Sequence, residues 1–248
     1  MTSNFGEEGR RLSYGSYLKV PELLALQQGM TKAHDELLFI VVHQAYELWF
    51  KVLLHELEAA RDAMFGGKAY AARHFLERVK VIERLLIEQV EVLETMAPQD
   101  FLAFRSDLAP ASGFQSVQLR ELEFLSGLKN PAYLKRLEAD TEERTRLERR
   151  LAEPTLWDAF LALVEGSGSP SLVQIIRNRD GQPGLFGVAE ALLDHDEAFA
   201  LWRSRHVLMV ERQIGGKTGT GGSTGAQYLR GTLDKRFFPA LWEVRSEL

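Results

Sequence analysis

His206 lies among Phe199, Trp202, Met209 and Val210, apolar residues that fall on its own face at helical spacing. The chain then runs into Gly215-Gly216-Lys217-Thr218-Gly219-Thr220-Gly221-Gly222-Ser223-Thr224-Gly225. Imidazole is the side chain most used as a metal ligand, and a loop this rich in glycine can lie flat against a ligand. His43 has a comparable setting: Phe39, His43, Tyr46 and Phe50 share one side of a helix, which puts the imidazole in an aromatic wall. Arg105 ends the run Asp100-Phe101-Leu102-Ala103-Phe104-Arg105, shortly before Pro110-Ala111-Ser112-Gly113-Phe114-Gln115. A guanidinium in apolar surroundings suits a planar carboxylate, which it can grip with two parallel hydrogen bonds. Each feature also has a plainer explanation. A buried histidine is often a hydrogen-bonded core residue, Arg105 can pair with Asp100 or Asp107, and a glycine run can be an exposed connector.

Several metal and nucleotide chemistries fail on spacing. A di-iron bundle needs Glu-x-x-His pairs, and no histidine here has an acid three positions before it. A zincin needs His-Glu-x-x-His, whereas His55-Glu56-Leu57-Glu58-Ala59 ends in alanine. Gly216-Lys217-Thr218 looks like the end of a P-loop, but the first glycine of that motif would fall at Glu211, and the preceding element reads as helix rather than strand. The long apolar stretch around His43 also carries Glu47, Lys51 and His55 at four-residue steps, a polar stripe that something wet or polar must meet. Two histidines on separate buried helices, in a chain without cysteine, are compatible with a haem pocket, one as axial ligand and one on the opposite side.

The elements that must position these groups read as helical almost throughout, which makes an all-α protein. The spacing predicts long helices over Asp35–Met64 and Ala69–Met96, joined by Gly66-Gly67 as an antiparallel pair. Asn130-Pro131 predicts the start of one charged helix running to about Leu151. A helix opens at Pro154 and runs to about Val164, Ser171–Asn178 is a short element, and a turn spans Asp180–Gly184. The last long helix covers Phe186–Ile214 and leads into the glycine loop, with two short helices after it.

The chain has 248 residues, 45% of them hydrophobic, enough for one domain with a substantial core over residues 1–248. A net charge of -5 provides no broad cationic surface for nucleic acid. The absence of cysteine excludes disulfides, thiolate nucleophiles and iron–sulfur clusters. Met1–Leu18 lacks the pattern of a secretory signal, so a cytoplasmic location is expected. Leu37–Leu54 approaches membrane-spanning length, but His43, Glu47 and Lys51 interrupt it, and it reads as a core helix rather than a membrane contact.

Six segments carry a resemblance: Phe39-Ile-Val-Val-His43-Gln-Ala-Tyr-Glu47-Leu-Trp-Phe-Lys51, Phe101-Leu-Ala-Phe-Arg105, Pro110-Ala-Ser-Gly-Phe-Gln-Ser116, Arg205-His206-Val207, Gly219-Thr-Gly-Gly-Ser-Thr-Gly225 and Phe237-Phe-Pro-Ala-Leu-Trp242. In that order, from Tyr14 to the C-terminus, the chain resembles the tryptophan 2,3-dioxygenases. The resemblance implies a helical haem-binding bundle of the tryptophan/indoleamine dioxygenase type. It implies a homotetramer with one haem b per subunit, ferrous when active, that inserts O2 across the indole C2–C3 bond of L-tryptophan to give N-formyl-L-kynurenine. It makes His206 the iron ligand and His43 the catalytic residue beside the indole N–H. Arg105 would hold the substrate carboxylate with help from Thr220 and Ser112, and Phe39 and Phe101 would wall the ring. Residues 215–225 would be an active-site loop. Residues 1–18 would be an arm whose Tyr14 and Tyr17 reach a neighbouring subunit's pocket. The sequence departs from the common pattern at Ala45-Tyr46 and at Leu119. Two other readings are a related haem oxygenase acting on a substituted tryptophan or another aromatic amino acid, and a non-catalytic haem carrier or sensor. The pairing of Arg105 with Thr220 argues against a carrier, which needs no amino-acid clamp.

Overall fold

A computed structural model of the chain describes residues 12–248. Two short helices come first, α1 (Tyr14–Leu18), started by a Ser13–Ser16 capping box, and α2 (Val20–Leu24). They are followed by α3 (Glu36–Phe65) and α4 (Ala69–Glu94). The turn between these two falls at Gly66-Gly67, where Gly67 has a φ of 69° that a side chain would strain. Then come α5 (Pro98–Arg105), α6 (Val117–Leu125), α7 (Glu142–Ala152), α8 (Leu156–Gly166), α9 (Leu172–Arg177), α10 (Pro183–Ile214), α11 (Ala226–Arg230) and α12 (Pro239–Glu243). No strand occurs among the described residues.

α4 is the spine. α10 packs along one side of it and α3 along another, and α3 also meets α6 and α8. Leu53, Leu57, Ala60 and Met64 of α3 are sealed with Ala72, Leu76, Val79 and Val90 of α4 into one core. α3 is the one described helix long and apolar enough to cross a bilayer. Its sealed face packs on α4 and α8, as expected of a core helix, while Leu37, Val41 and Leu48 stay exposed on its outer side.

Among the departures from the sequence expectation, two have a clear local cause. The predicted helix from Asn130 to Leu151 is broken into a 3-10 segment, Pro131–Arg136, and α7. Asn130 does cap the first piece by accepting from the Ala132 N–H. The backbone then turns extended at Leu137 and left-handed at Asp140 (φ 61°), and Thr141 caps a new start by accepting from Arg144 N–H. α10 begins at Pro183, three residues before the expected Phe186, because proline suits the first turn, where its missing N–H has no partner to lose.

Two buried polar nodes fix α10. Asp196, fully buried, accepts from Phe237 N–H (2.9 Å), Phe238 N–H (3.0 Å) and Trp242 Nε1–H (2.9 Å), and so staples the C-terminal segment to the helix. His195 lies with Nδ1 2.6 Å from Glu83 Oε1 of α4 and Nε2 2.9 Å from Ser126 Oγ at the end of α6. Burial pushes the Glu83 carboxyl up, and the neighbouring His195 pulls it back. Replacing Asp196 by alanine leaves three buried donors without an acceptor, and a loss of about 3 kcal/mol is expected. Thermal unfolding of Asp196→Ala should show a midpoint lower by roughly 6–12 °C; an unchanged midpoint would remove the staple.

Candidate functional site

Because α3 and α10 share α4 as their support, a space remains between them. It is a chamber of about 540 Å³, within the range of pockets that hold a small molecule or cofactor. His43 looks into it from α3 and His206 from α10. Trp202, one turn before His206, packs edge-on to Tyr46 (ring centroids 6.2 Å apart) and Phe50 (6.4 Å) and so closes the end where the two helices come together.

His43 accommodates its burial by a local bond: Nδ1 lies 2.7 Å from the Phe39 carbonyl oxygen one turn back. Only a donor can pair with a carbonyl, so Nδ1 carries the proton and a neutral ring has Nε2 as an acceptor. Burial lowers the His43 pKa from its ordinary value, partly opposed by the Phe39 bond and the Glu47 charge. Phe39 lies against the imidazole (4.0 Å) and stacks with Phe101 (5.7 Å), which gives the chamber an aromatic flank.

His206 is more strongly perturbed. Burial, with a smaller contribution from the nearby His43, pushes its pKa down to about 4, so the ring is neutral at physiological pH. It stacks nearly parallel on Trp202 (5.5 Å, 3°) and makes no hydrogen bond among the described residues. A neutral imidazole with a free lone pair facing a mostly apolar chamber is suited to a metal. No cluster of three or more His, Asp or Glu side chains able to hold a bare metal ion occurs among the described residues. The donor set therefore fits a metal that brings its own equatorial ligands, as haem iron does, and Leu93, Met96, Met209 and Val210 supply apolar surface for a porphyrin.

At the other end, α5 delivers Arg105 to the rim, where Nη2 donates to the Thr218 carbonyl of the glycine loop. Thr220 Oγ1 donates to the Ala111 carbonyl (2.6 Å), and Ser112 caps the short 3-10 turn Gly113–Gln115. Arg105, Ser112 and Thr220 all border the chamber, so the loop lies closed over its mouth. The closeness requires glycine at 221, where an added Cβ would lie 2.7 Å from Ser112 Cβ.

The structure thus brings Phe39, His43, Phe101, Arg105, Ser112, His206 and Thr220 to one chamber. It does not bring Tyr14 and Tyr17 there; they are 77% and 70% exposed. The polar stripe on α3 divides. His43 and Glu47 face the chamber while Lys51 and His55 face solvent, because each four-residue step drifts about 40° around the helix. Glu47, held by Gln118 Nε2 at 2.8 Å, and the trio Arg120, Glu123 and Arg203 also border the chamber. Sequence reasoning passed over the trio; charged residues on a helix read as solvated, and only the three-residue spacing of Arg203 from His206 signalled otherwise.

The two longest helices of an all-helical protein thus each present an imidazole to a chamber of cofactor size, the arrangement of a helical protein with an internal ligand pocket. Comparison with known proteins narrows the class. The profile of the tryptophan 2,3-dioxygenase family matches residues 2–172 and 164–248. A protein named tryptophan 2,3-dioxygenase from a Nocardioides species is 56% identical over 261 aligned residues, covering 99% of this chain and 98% of that protein. Similarly named proteins from Herpetosiphon aurantiacus (45% identical; 96% and 98% covered) and Bacillus thuringiensis (39%; 96% and 93%) match over nearly the same span. The chain belongs to the tryptophan 2,3-dioxygenase family.

The closed loop makes a prediction independent of the chemistry. Gly221→Ala should push the loop off Ala111 and Ser112 and speed trypsin cleavage after Lys217, read by mass spectrometry of timed digests; cleavage at the parental rate would contradict the packing described.

Proposed function

We propose that this chain opens the indole ring of L-tryptophan, inserting both atoms of O2 across the C2–C3 bond to give N-formyl-L-kynurenine, the first step of tryptophan breakdown by the kynurenine pathway. The observation that carries this reading is the convergence of His43, His206 and Arg105 on one chamber in a chain 56% identical to a named tryptophan 2,3-dioxygenase. The named relatives favour tryptophan over other aromatic amino acids, and an enzyme over a haem carrier.

The proposed cofactor is haem b, one per subunit with ferrous iron, which supplies the binding and activation of O2. The chain's own residues do the rest. His206 offers the lone pair of a ring that burial keeps unprotonated at neutral pH. His43, its Nδ1 engaged by Phe39, presents Nε2 as acceptor for the indole N–H and so sets which edge of the ring is turned toward the reacting centre. Phe39 and Phe101 hold the indole between aromatic faces. Arg105 exchanges its bond to the Thr218 carbonyl for the substrate carboxylate, and Thr220 and Ser112 add hydroxyls beside it. With the glycine loop closed, water is kept from the charged pair, which strengthens it.

The proposal includes a homotetramer in which Tyr14 and Tyr17 complete a neighbour's chamber. Their exposure supports it, as does that of Leu24, Met30, Leu37, Val41 and Leu48, large apolar side chains left in solvent. It takes residues 1–248 as one domain, with 215–225 as the active-site loop and 1–18 as an arm of which residues 1–11 lie outside those described. A cytoplasmic location completes the proposal, without nucleic acid or membrane as partner.

The direct test is product identity. The reduced, haem-loaded protein given tryptophan and O2 should yield a product heavier by both oxygen atoms; turnover of another aromatic amino acid with tryptophan inert would overturn the substrate. Arg105→Ala should weaken tryptophan binding by about 2–5 kcal/mol, measured by titration, and near-parental affinity would take Arg105 out of the site. Protonating His43 removes its acceptor, and burial holds its pKa below the ordinary 6.5. Tryptophan affinity should therefore stay level from alkaline pH down to that value and fall only in more acid solution, with the acid fall absent in His43→Ala. A decline beginning above the ordinary value would contradict this role.

A further inference from the structure

α3 changes character along its length. Its C-terminal half is sealed by a broad face that includes Leu53, Leu54, Leu57, Ala60 and Met64. From Leu37 to Val52, where the helix borders the chamber, the sealed residues are Val42, Tyr46 and Phe50, one per turn. A stripe one residue wide bears on its neighbour along a line. The helix can roll about that line or slide along it at little cost, because apolar contact has no direction. Yet this is the half that carries His43.

Hydrogen bonds appear where the packing thins. Gln89 of α4 donates from Nε2 to the carbonyl of Val42, the residue before His43 (2.9 Å). Tyr46 returns the contact one turn later, its hydroxyl donating to the Leu86 carbonyl of α4 (2.8 Å). Gln118 of α6 donates from Nε2 to the Glu47 carbonyl and to Glu47 Oε2, both at 2.8 Å. In a helix the Val42 and Glu47 carbonyls are already engaged by the N–H four residues on, so the glutamines take the second lone pair. Among the described residues, every side chain that donates to a carbonyl of α3 does so between Phe39 and Glu47, with His43 midway and its own Nδ1 on Phe39. Val42 and Glu47 stand about 140° apart around the helix, and the two glutamines come from different helices. Together they oppose both roll and slide, and because they grip the main chain they fix the backbone from which His43 projects.

We propose that Gln89 and Gln118 are positioning residues, two struts that hold the His43 turn where one side of α3 faces a chamber instead of a packed neighbour. They set where His43 Nε2 meets the indole N–H, and for that ligand the inference rests on the function proposed above. A displacement of about 1 Å is enough to lose such a bond and the orientation it imposes.

Hydrogen–deuterium exchange of the full chain, followed by mass spectrometry of α3 peptides, reads the struts without haem or tryptophan. In the parental chain residues 39–51 should exchange about as slowly as 53–64; rapid exchange confined to 39–51 overturns the proposal and needs no variant to fold. Gln89→Met keeps the length of the side chain and removes the donor. It should speed exchange of 39–51 about three- to tenfold, the range for one hydrogen bond, and leave 53–64 unchanged; Gln118→Met should do the same. Unchanged exchange overturns the struts, as does an equal rise in both halves, the mark of a general loss of stability. The second readout is tryptophan affinity of the reduced, haem-loaded protein. Gln89→Met should weaken it about three- to tenfold in the parental background and have no effect in His43→Ala. An equal loss in both backgrounds overturns the positioning role, since the effect then does not pass through His43. A haem-loaded parental chain that binds no tryptophan defeats the functional reading, and the exchange result alone then decides the struts.

Discussion

The packing of α10 on α4 is the constraint from which the rest follows. α3 is fixed to the same spine by the Leu53–Met64 face, so the separation of His43 from His206 is set by two core interfaces rather than by any contact between the histidines. The chamber is what remains between them, closed at one end by Trp202 reaching Tyr46 and Phe50. Long helices anchored along their length hold such a gap open without collapse, because filling it would require α10 to leave the Glu83–His195–Ser126 and Asp196 nodes.

The same burial that builds the gap selects its chemistry. Desolvation keeps both imidazoles neutral, which is the form that accepts a hydrogen bond or binds a metal. It also raises the value of every charge placed nearby, and three cations border the chamber: Arg105 at the loop-covered rim, and Arg120 and Arg203 on the α6–α10 side, where both pair with Glu123. In the closed loop seen here the rim groups are satisfied by backbone carbonyls of residues 111 and 218, weak partners for a guanidinium and a hydroxyl that a carboxylate can replace.

Much of this was legible from residue order. α3, α4 and α10 announce themselves by period, and the aromatic neighbours of His43 and His206 put each on an inward face, because long helices with an apolar stripe leave little freedom in how they bury it. Asn130 was a true start signal, yet the helix beyond it failed within two turns, since the left-handed turn at Asp140 and the fresh cap at Thr141 are decided by local competition that periodicity does not register. Thr220 lies far along the chain from Arg105 and Ser112 and could be grouped with them only by resemblance. Arg120 and Glu123 were invisible because a charged side chain on a helix has the same letter whether it meets water or a cavity; for Arg203 the spacing from His206 was the one signal. Tyr14 and Tyr17 are exposed and do not line the chamber of their own chain.

The most direct measurement is a crystal structure of the hemin-loaded chain soaked anaerobically with L-tryptophan. The account predicts iron bonded to a ring nitrogen of His206, with the indole N–H on His43 Nε2 and the substrate carboxylate on Arg105. Iron bonded to His43, or a porphyrin lodged outside the space between α3 and α10, would contradict it.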